Sequence, residues 1–232
     1  MMRALQAVIF DFDGVIANSE PLHLRAFQQA LGDEGLVLTA EEYYARYLGY
    51  DDVGAFTALL RDRGLSADDA RVTALVARKG ECLQEMMEAG GVLFPGAAEF
   101  IRRTAQAVPV AIASGALRHE IEEILEAGGL RELFPVIVAS GDTPESKPSP
   151  APYRLAFERL RAQHPDLEAH RCVAIEDSRW GLVSAAGAGL RCVGVTTSYT
   201  SADLQEAELV DEGLHRLTLE ALDELVATAG VR

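Results

Sequence analysis

Five short apolar runs punctuate the chain: "AVIFDF", "VPVAIAS", "FPVIVAS", "RCVAIED" and "LRCVGV". Near-continuous hydrophobicity over so few residues is the pattern of a strand buried on both faces. Each of the later four runs follows a stretch whose apolar residues recur at helical spacing. Short two-sided strands alternating with helices predict a parallel α/β sheet. In such a sheet ligands gather beyond the carboxyl ends of the strands, so the polar residues there become the candidates for chemistry.

One segment breaks the alternation. From Asn18 to Gly91 the pattern offers helices and no strand. A helix is predicted over 21–31, with Leu24, Phe27 and Leu31 on one face. Another begins at Ser66, read as its N-cap with Asp69 at the third helical position. Val72, Leu75, Val76, Leu83, Met86 and Met87 follow at helical spacing, a stripe that reads as core, and Gly90-Gly91 reads as the stop. The insert therefore reads as a helical subdomain, residues 18–91, between the first strand and the rest of the sheet. Residues 1–17 and 92–232 are the predicted core.

Composition narrows the classes. The 232 residues are 49% hydrophobic, which excludes a disordered chain. No apolar run approaches the roughly 20 residues of a membrane span. "MMRALQAVIF" reads as a first strand and not as a secretory signal. A formal charge of -15 repels nucleic acid and anionic membrane, so neither is an expected partner. Cys82, Cys172 and Cys192 form no paired framework, the usage of reduced thiols in a cytoplasmic protein.

The strand ends carry the chemistry. The first run stops at Asp11 and Asp13, in "VIFDFDGVIANSE". The second stops at Ser114 and Gly115 ahead of a helix; a hydroxyl, an accessible glycine N–H and a helix N-terminus suit an anion. After the third, Lys147 stands before Pro148, a charge placed to meet phosphate. The fourth stops at Glu176 and Asp177, followed by Ser178; Asp177 or Ser178 is also a candidate helix cap. Two acidic clusters at one sheet edge repel each other unless a hard cation lies between them. Mg²⁺ suits this, because it takes carboxylate oxygens, keeps waters and bridges to phosphate. Asp11 could then attack phosphorus and Asp13 transfer the proton.

In this order the four stations strongly resemble the haloacid dehalogenase-like hydrolase superfamily. "DFDGVIANSE" looks like its first motif, Ser114 the second, Lys147 in "SKPSPAPY" the third and "IEDSRWG" the fourth. The branch most resembled contains β-phosphoglucomutase-like and phosphoglycolate phosphatase-like proteins. The resemblance implies a Rossmann-like parallel sheet core with an inserted all-helical cap of the C1 type. It implies Asp11 as nucleophile and Asp13 as general acid and base. Asp11, the backbone carbonyl of Asp13 and Asp177 would hold Mg²⁺, with Glu176 beside it. Ser114, the Gly115 amide and Lys147 would bind the phosphoryl group. A dehalogenase is disfavoured, because that branch lacks the second aspartate.

The implied activity is Mg²⁺-dependent hydrolysis of a small phosphorylated substrate, a sugar phosphate or a phosphoglycolate-like monoester. A sugar phosphomutase is the alternative. His23 and Lys79 align with a hinge histidine and a cap lysine of the mutase-like branch; an ordinary exposed helix position is the other reading of each. Where the mutase carries an arginine for a second phosphate, in "LGYDDVGAF", this chain has Tyr50, Asp51 and Asp52. Those carboxylates would repel a second phosphate unless Arg46 or Lys79 compensates, which favours the phosphatase. A phospho-accepting receiver domain is shorter, uses a later strand and has no cap. A non-catalytic phosphate-binding protein on this fold would be expected to have lost a motif residue, and none is lost here.

Overall fold

In the computed structural model, residues 3–47, 50–88 and 91–229 are described. The chain divides into two compact units, Met1–Asn18 with Val92–Arg232, and Ser19–Gly91.

The larger unit is built on a six-stranded sheet. Its strands are β1 (Ala7–Phe10), β2 (Val110–Ala113), β3 (Val136–Val138), β4 (Cys172–Glu176), β5 (Arg191–Val195) and β6 (Leu209–Asp211). They lie in the order β3-β2-β1-β4-β5-β6, every pairing parallel. Helices α5 (Ala97–Ala107), α6 (Arg118–Ala127), α7 (Ala151–Gln163), α8 (Arg179–Gly187) and α9 (Leu219–Ala229) belong to the same unit. The five predicted runs are β1 to β5.

β1 is buried at every residue, as a central parallel strand must be. Ala7 and Ile9 join a core of Val138, Tyr153, Phe157 and Leu182. Phe10 meets Phe100 and Phe134 edge to face, at centroid distances of 6.3 and 6.0 Å. β6 escapes the sequence pattern because it is a three-residue edge strand, only half-buried throughout.

The chain runs outward from β1 through β2 to β3, then returns to β4 on the other flank. The strand order therefore reverses between β1 and β4, and the carboxyl ends at such a switch point are where a parallel sheet places its ligands. Asp11 follows one of these strands, and Glu176 ends the other.

The smaller unit consists of α1 (Glu20–Gly32), α2 (Ala40–Arg46), α3 (Asp52–Asp62) and α4 (Asp69–Glu88). Leu24, Phe27, Leu31, Phe56, Leu60 and Leu75 form its own core. The predicted N-cap is corrected by two residues. Asp68 accepts the Arg71 N–H at 3.0 Å, while Ser66 gives its hydroxyl to Asp68 at 3.1 Å. The carboxylate, one residue ahead of the helix, outcompetes the hydroxyl for the first-turn amides. Gly91 has φ +82°; Gly90, the other half of the predicted stop, lies outside the described residues, as do Leu48 and Gly49.

Candidate active site

Asp11 leaves β1 with its N–H still bonded to Ile175 O at 2.9 Å, so the ladder to β4 fixes its backbone. The chain then folds tightly back: the amides of Ile16 and Ala17 both reach Phe12 O, at 2.8 and 2.9 Å. Gly14 makes this possible. Its φ is +77°, and a Cβ there would sit 1.9 Å from Asp177 Oδ2. The Thr197 hydroxyl holds the Gly14 carbonyl from the β5 side.

Three carboxylates converge beyond the strand ends. Asp11, Glu176 and Asp177 are all buried and offer oxygens within 4.8 Å of one another. Lys147 lies among them, its Nζ 2.8 Å from Asp11 Oδ1 and 2.6 Å from Glu176 Oε1. The Tyr153 hydroxyl donates to that same Glu176 oxygen at 2.8 Å, and the Lys147 ammonium lies 5.0 Å from the Tyr153 ring centroid. Ser178 donates to Glu176 Oε2 from both its amide and its hydroxyl, and caps α8 by accepting the Gly181 N–H at 3.1 Å. Gly181 is a matter of space: a Cβ would stand 1.8 Å from the Glu176 carboxylate.

The electrostatics are those of an anionic pocket short of positive charge. Burial, then the Glu176 charge, pushes the Asp11 carboxyl well above the usual carboxylate range, with Lys147 pulling the other way. Burial likewise lifts Asp177 to about 6, against a hydrogen bond from Ser198. Burial works against the Lys147 ammonium, but Asp11 and Glu176 more than offset it, and its pKa is raised. Three buried carboxylates around one ammonium leave an uncompensated charge. The donor set, all hard oxygen, fits a divalent cation such as Mg²⁺.

Ser114 directly follows β2, on the flank of β1 opposite β4, and is 4% exposed. Its amide bonds Val138 O at 2.9 Å and its Oγ accepts the Ala116 N–H at 3.1 Å. Gly115 beside it is exposed, with room around its Cα. Asp13 stands in the turn after β1, half-buried and bridged to Ala17; its carboxylate is outside the three-carboxylate cluster.

His23 and Lys79 do meet, within the helical unit. Lys79 Nζ is 3.0 Å from His23 Nδ1 and 2.9 Å from both oxygens of Asp52, and it lies 5.2 Å from the Phe27 ring centroid. At 2% exposure Lys79 is no surface residue, which corrects the reading of an ordinary exposed helix position. The carboxylates of "LGYDDVGAF" also need correcting as free repulsive charges. Asp51 caps α3 by accepting the Gly54 N–H at 2.7 Å, and Asp52 is spent on Lys79. Arg46 is likewise engaged, 2.7 Å from Asp62.

Tyr153, Ser198 and Gly181 complete the site and were not singled out by the sequence pattern. Tyr153 lies in the quoted "SKPSPAPY", but nothing in its spacing marks a tyrosine on the core face of α7 as a partner for a strand-end glutamate.

The sequence model of the haloacid dehalogenase-like hydrolases matches residues 5–189. Protein CbbY of Rhodobacter capsulatus is 32% identical over 206 residues, covering 86% of this chain and 88% of that protein. Phosphoglycolate phosphatase of Pectobacterium atrosepticum is 28% identical, over 93% of this chain and 90% of the other. Among solved structures, an aspartate-to-asparagine mutant of CbbY from Rhodobacter sphaeroides in complex with xylulose-(1,5)bisphosphate superposes with a TM-score of 0.77. It is 31% identical and is covered over 99% of its length, against 94% of this chain. The buried acidic strand ends, the lysine that joins them and the family match agree: the chain belongs to the haloacid dehalogenase-like hydrolases and is a phosphatase of that family.

Proposed function

We propose that this phosphatase hydrolyses a small sugar phosphate through an aspartyl-phosphate on Asp11, with Mg²⁺ as cofactor. The observation that carries the reading is the placement of Asp11, at the end of a central strand and 2.8 Å from Lys147 Nζ. An attacking carboxylate must be ionised; burial and the Glu176 charge oppose that form, the Lys147 ammonium favours it, and a cation among the three carboxylates would favour it further. Asp11 forms a bond to phosphorus as the ester P–O bond breaks. Asp13 gives its proton to the leaving oxygen. Water then attacks the phosphorus, Asp13 takes a proton from it, and Asp11 is released with inorganic phosphate. Lys147, Ser114 and the Gly115 amide hold the phosphoryl oxygens. Asp11, Asp177 and the Asp13 carbonyl, with Glu176 beside them, would hold the divalent cation, which would supply positive charge against the charge that builds on the transferring group.

Residues 18–91 act as the cap domain of this enzyme, with His23 as its candidate substrate contact and the buried Lys79 as the group that holds His23 in place. The relative solved with a sugar bisphosphate makes sugar phosphates the first class to test, and the phosphoglycolate phosphatase relative makes phosphoglycolate the second. A mutase would need a cation on the cap for a second phosphate, and the Lys79 charge is already taken by Asp52. No helix among the described residues is long and apolar enough to cross a membrane, and the three cysteines are free thiols, in keeping with a cytoplasmic setting.

The test is a panel of phosphate monoesters and bisphosphates, assayed for released phosphate with Mg²⁺ and with excess EDTA, on the wild type and Asp11→Asn. Turnover should require Mg²⁺ and vanish in Asp11→Asn with the melting temperature retained. Full activity in that variant overturns the aspartyl-phosphate route. Isomerised sugar phosphate appearing faster than free phosphate overturns the hydrolase reading in favour of the mutase.

A further inference from the structure

One oxygen outside the acidic cluster gathers three separate pieces of chain. Asp142 Oδ2 accepts from Arg118 Nη2 at 2.7 Å, from Arg159 Nη1 at 3.2 Å and from the Ala139 N–H at 3.4 Å. The same two guanidinium groups also donate to the Ile137 carbonyl, at 3.1 and 3.3 Å. β3 is an edge strand, so this carbonyl has no further strand to bond, and the arginines take that place.

The positions matter more than the count. Arg118 is the first residue of α6, four residues after Ser114. Asp142 lies in the loop after β3 that carries Lys147. Arg159 lies on α7, the helix into which that loop runs. Backbone bonds join the same two loops: Ser140 N–H to Ala116 O, and Ser114 N–H to Val138 O, each 2.9 Å. The far end of the lysine loop is held separately, where the buried Ser184 donates to Ser149 O at 2.6 Å.

Exposed ion pairs contribute little, and both arginine side chains are more than 40% exposed. As a stability device this cluster is modest. Its geometry suits another task, because one carboxylate shared by two forked cations fixes a distance between the elements that bear them.

We infer that Asp142, with Arg118 and Arg159, is a positioning residue that sets the spacing between the Ser114 loop and the Lys147 loop. The inference rests on the reading that Ser114 and Lys147 bind the phosphoryl group. The three act by keeping its two arms in register. Misplacing such a group by a small fraction of its reach is enough to slow a reaction up to about 100-fold.

The experiment is a double-mutant cycle between Asp142 and Lys147, using p-nitrophenyl phosphate so that weak variants remain measurable. Asp142→Ala and the milder Asp142→Asn should lower kcat/KM by roughly 10- to 100-fold and weaken inhibition by orthophosphate, with little change in melting temperature. In a Lys147→Ala background the further loss from Asp142→Ala should shrink to less than about threefold, since the arm it positions is gone. Arg118→Lys, which keeps the charge without the fork, should show part of the same loss. Wild-type kinetics in Asp142→Ala, beside a crippled Lys147→Ala, overturns the positioning role alone. Losses that multiply fully in the double variant, or that track a fall in melting temperature, also overturn it. An active Lys147→Ala enzyme with unchanged orthophosphate inhibition overturns the phosphate-binding reading and the inference with it.

Discussion

The Tyr153 hydroxyl donates to Glu176 Oε1 at 2.8 Å, and both residues have no exposed surface. The same oxygen accepts Lys147 at 2.6 Å, so tyrosine and lysine share one acceptor at the floor of the site. Tyr153→Phe removes a donor to a buried carboxylate without opening a cavity. It should cost about 1.5–3 kcal/mol of stability, the range for a hydrogen bond to a charged group. Turnover should fall several-fold, because the acceptor that steers Lys147 is less restrained. Denaturant unfolding and kcat measured together check this; an unchanged unfolding midpoint would show that the hydroxyl contributes nothing there.

Two glycines are required for space. Gly181→Ala drives a methyl group to within 1.8 Å of the Glu176 carboxylate, and Gly14→Ala does the same to Asp177 at 1.9 Å while also straining a φ of +77°. Each should cost at least the ~1–3 kcal/mol of an overpacked site and reduce turnover more than tenfold. Gly35→Ala serves as the control, since its φ is +71° but nothing stands within 4 Å of a Cβ there. If Gly14→Ala behaves like Gly35→Ala, backbone strain rather than the approach of Asp177 governs the position.

Asp13→Asn tests the assignment of proton transfer. The loss of turnover should be about 10²–10⁴-fold on alkyl phosphates and much smaller on p-nitrophenyl phosphate, whose leaving group needs no proton. Equal losses on both substrates would rule out the general-acid role.

The histidine of the helical unit gives it an acid limit. Burial first, and then the Lys79 ammonium, lower the His23 pKa from 6.5 to about 4, against the opposing charge of Asp52. Glu20 lies on the same helix, its own carboxyl raised by burial. His23 therefore stays neutral in the folded unit where the unfolded chain would protonate. Its contribution to stability is fully present above pH 6.5 and is lost as pH falls from 6.5 to about 4, by up to roughly 3 kcal/mol. Hydrogen-exchange protection factors of the α1 and α4 amides, taken relative to the intrinsic exchange rate at each pH, should fall across that window, and His23→Gln should flatten the dependence. An identical acid profile in His23→Gln would refute it.

Much of this molecule is legible in its sequence. β1 to β5 could be read because strands buried on both faces must be nearly all apolar, and the residue that ends such a run is conspicuous. That is why Asp11, Ser114, Glu176 and Asp177 stand out, whereas Lys147, in the loop beyond the third run, is marked only by the proline that follows it. β6 was hidden because an edge strand of three half-buried residues carries no such contrast. Tyr153 was hidden for the opposite reason, since an aromatic residue on the core face of a helix looks like packing. The Lys79–Asp52 pair shows a further limit. Sequence can place two charges in one segment but cannot tell whether they face solvent or neutralise each other.

The strand order has a consequence for how the enzyme comes into being. β1 holds residues 7–10, yet its two neighbours are β2 at 110–113 and β4 at 172–176. Such distant pairings carry a high entropic cost of closure and form late. The helices described within residues 19–91 share a core of their own and need no distant segment. On the ribosome they are therefore free to condense first, while the strand that bears Asp11 waits. Only when β4 has emerged do the acidic residues come together, so a nascent or truncated chain is catalytically silent until nearly the whole core has been synthesised.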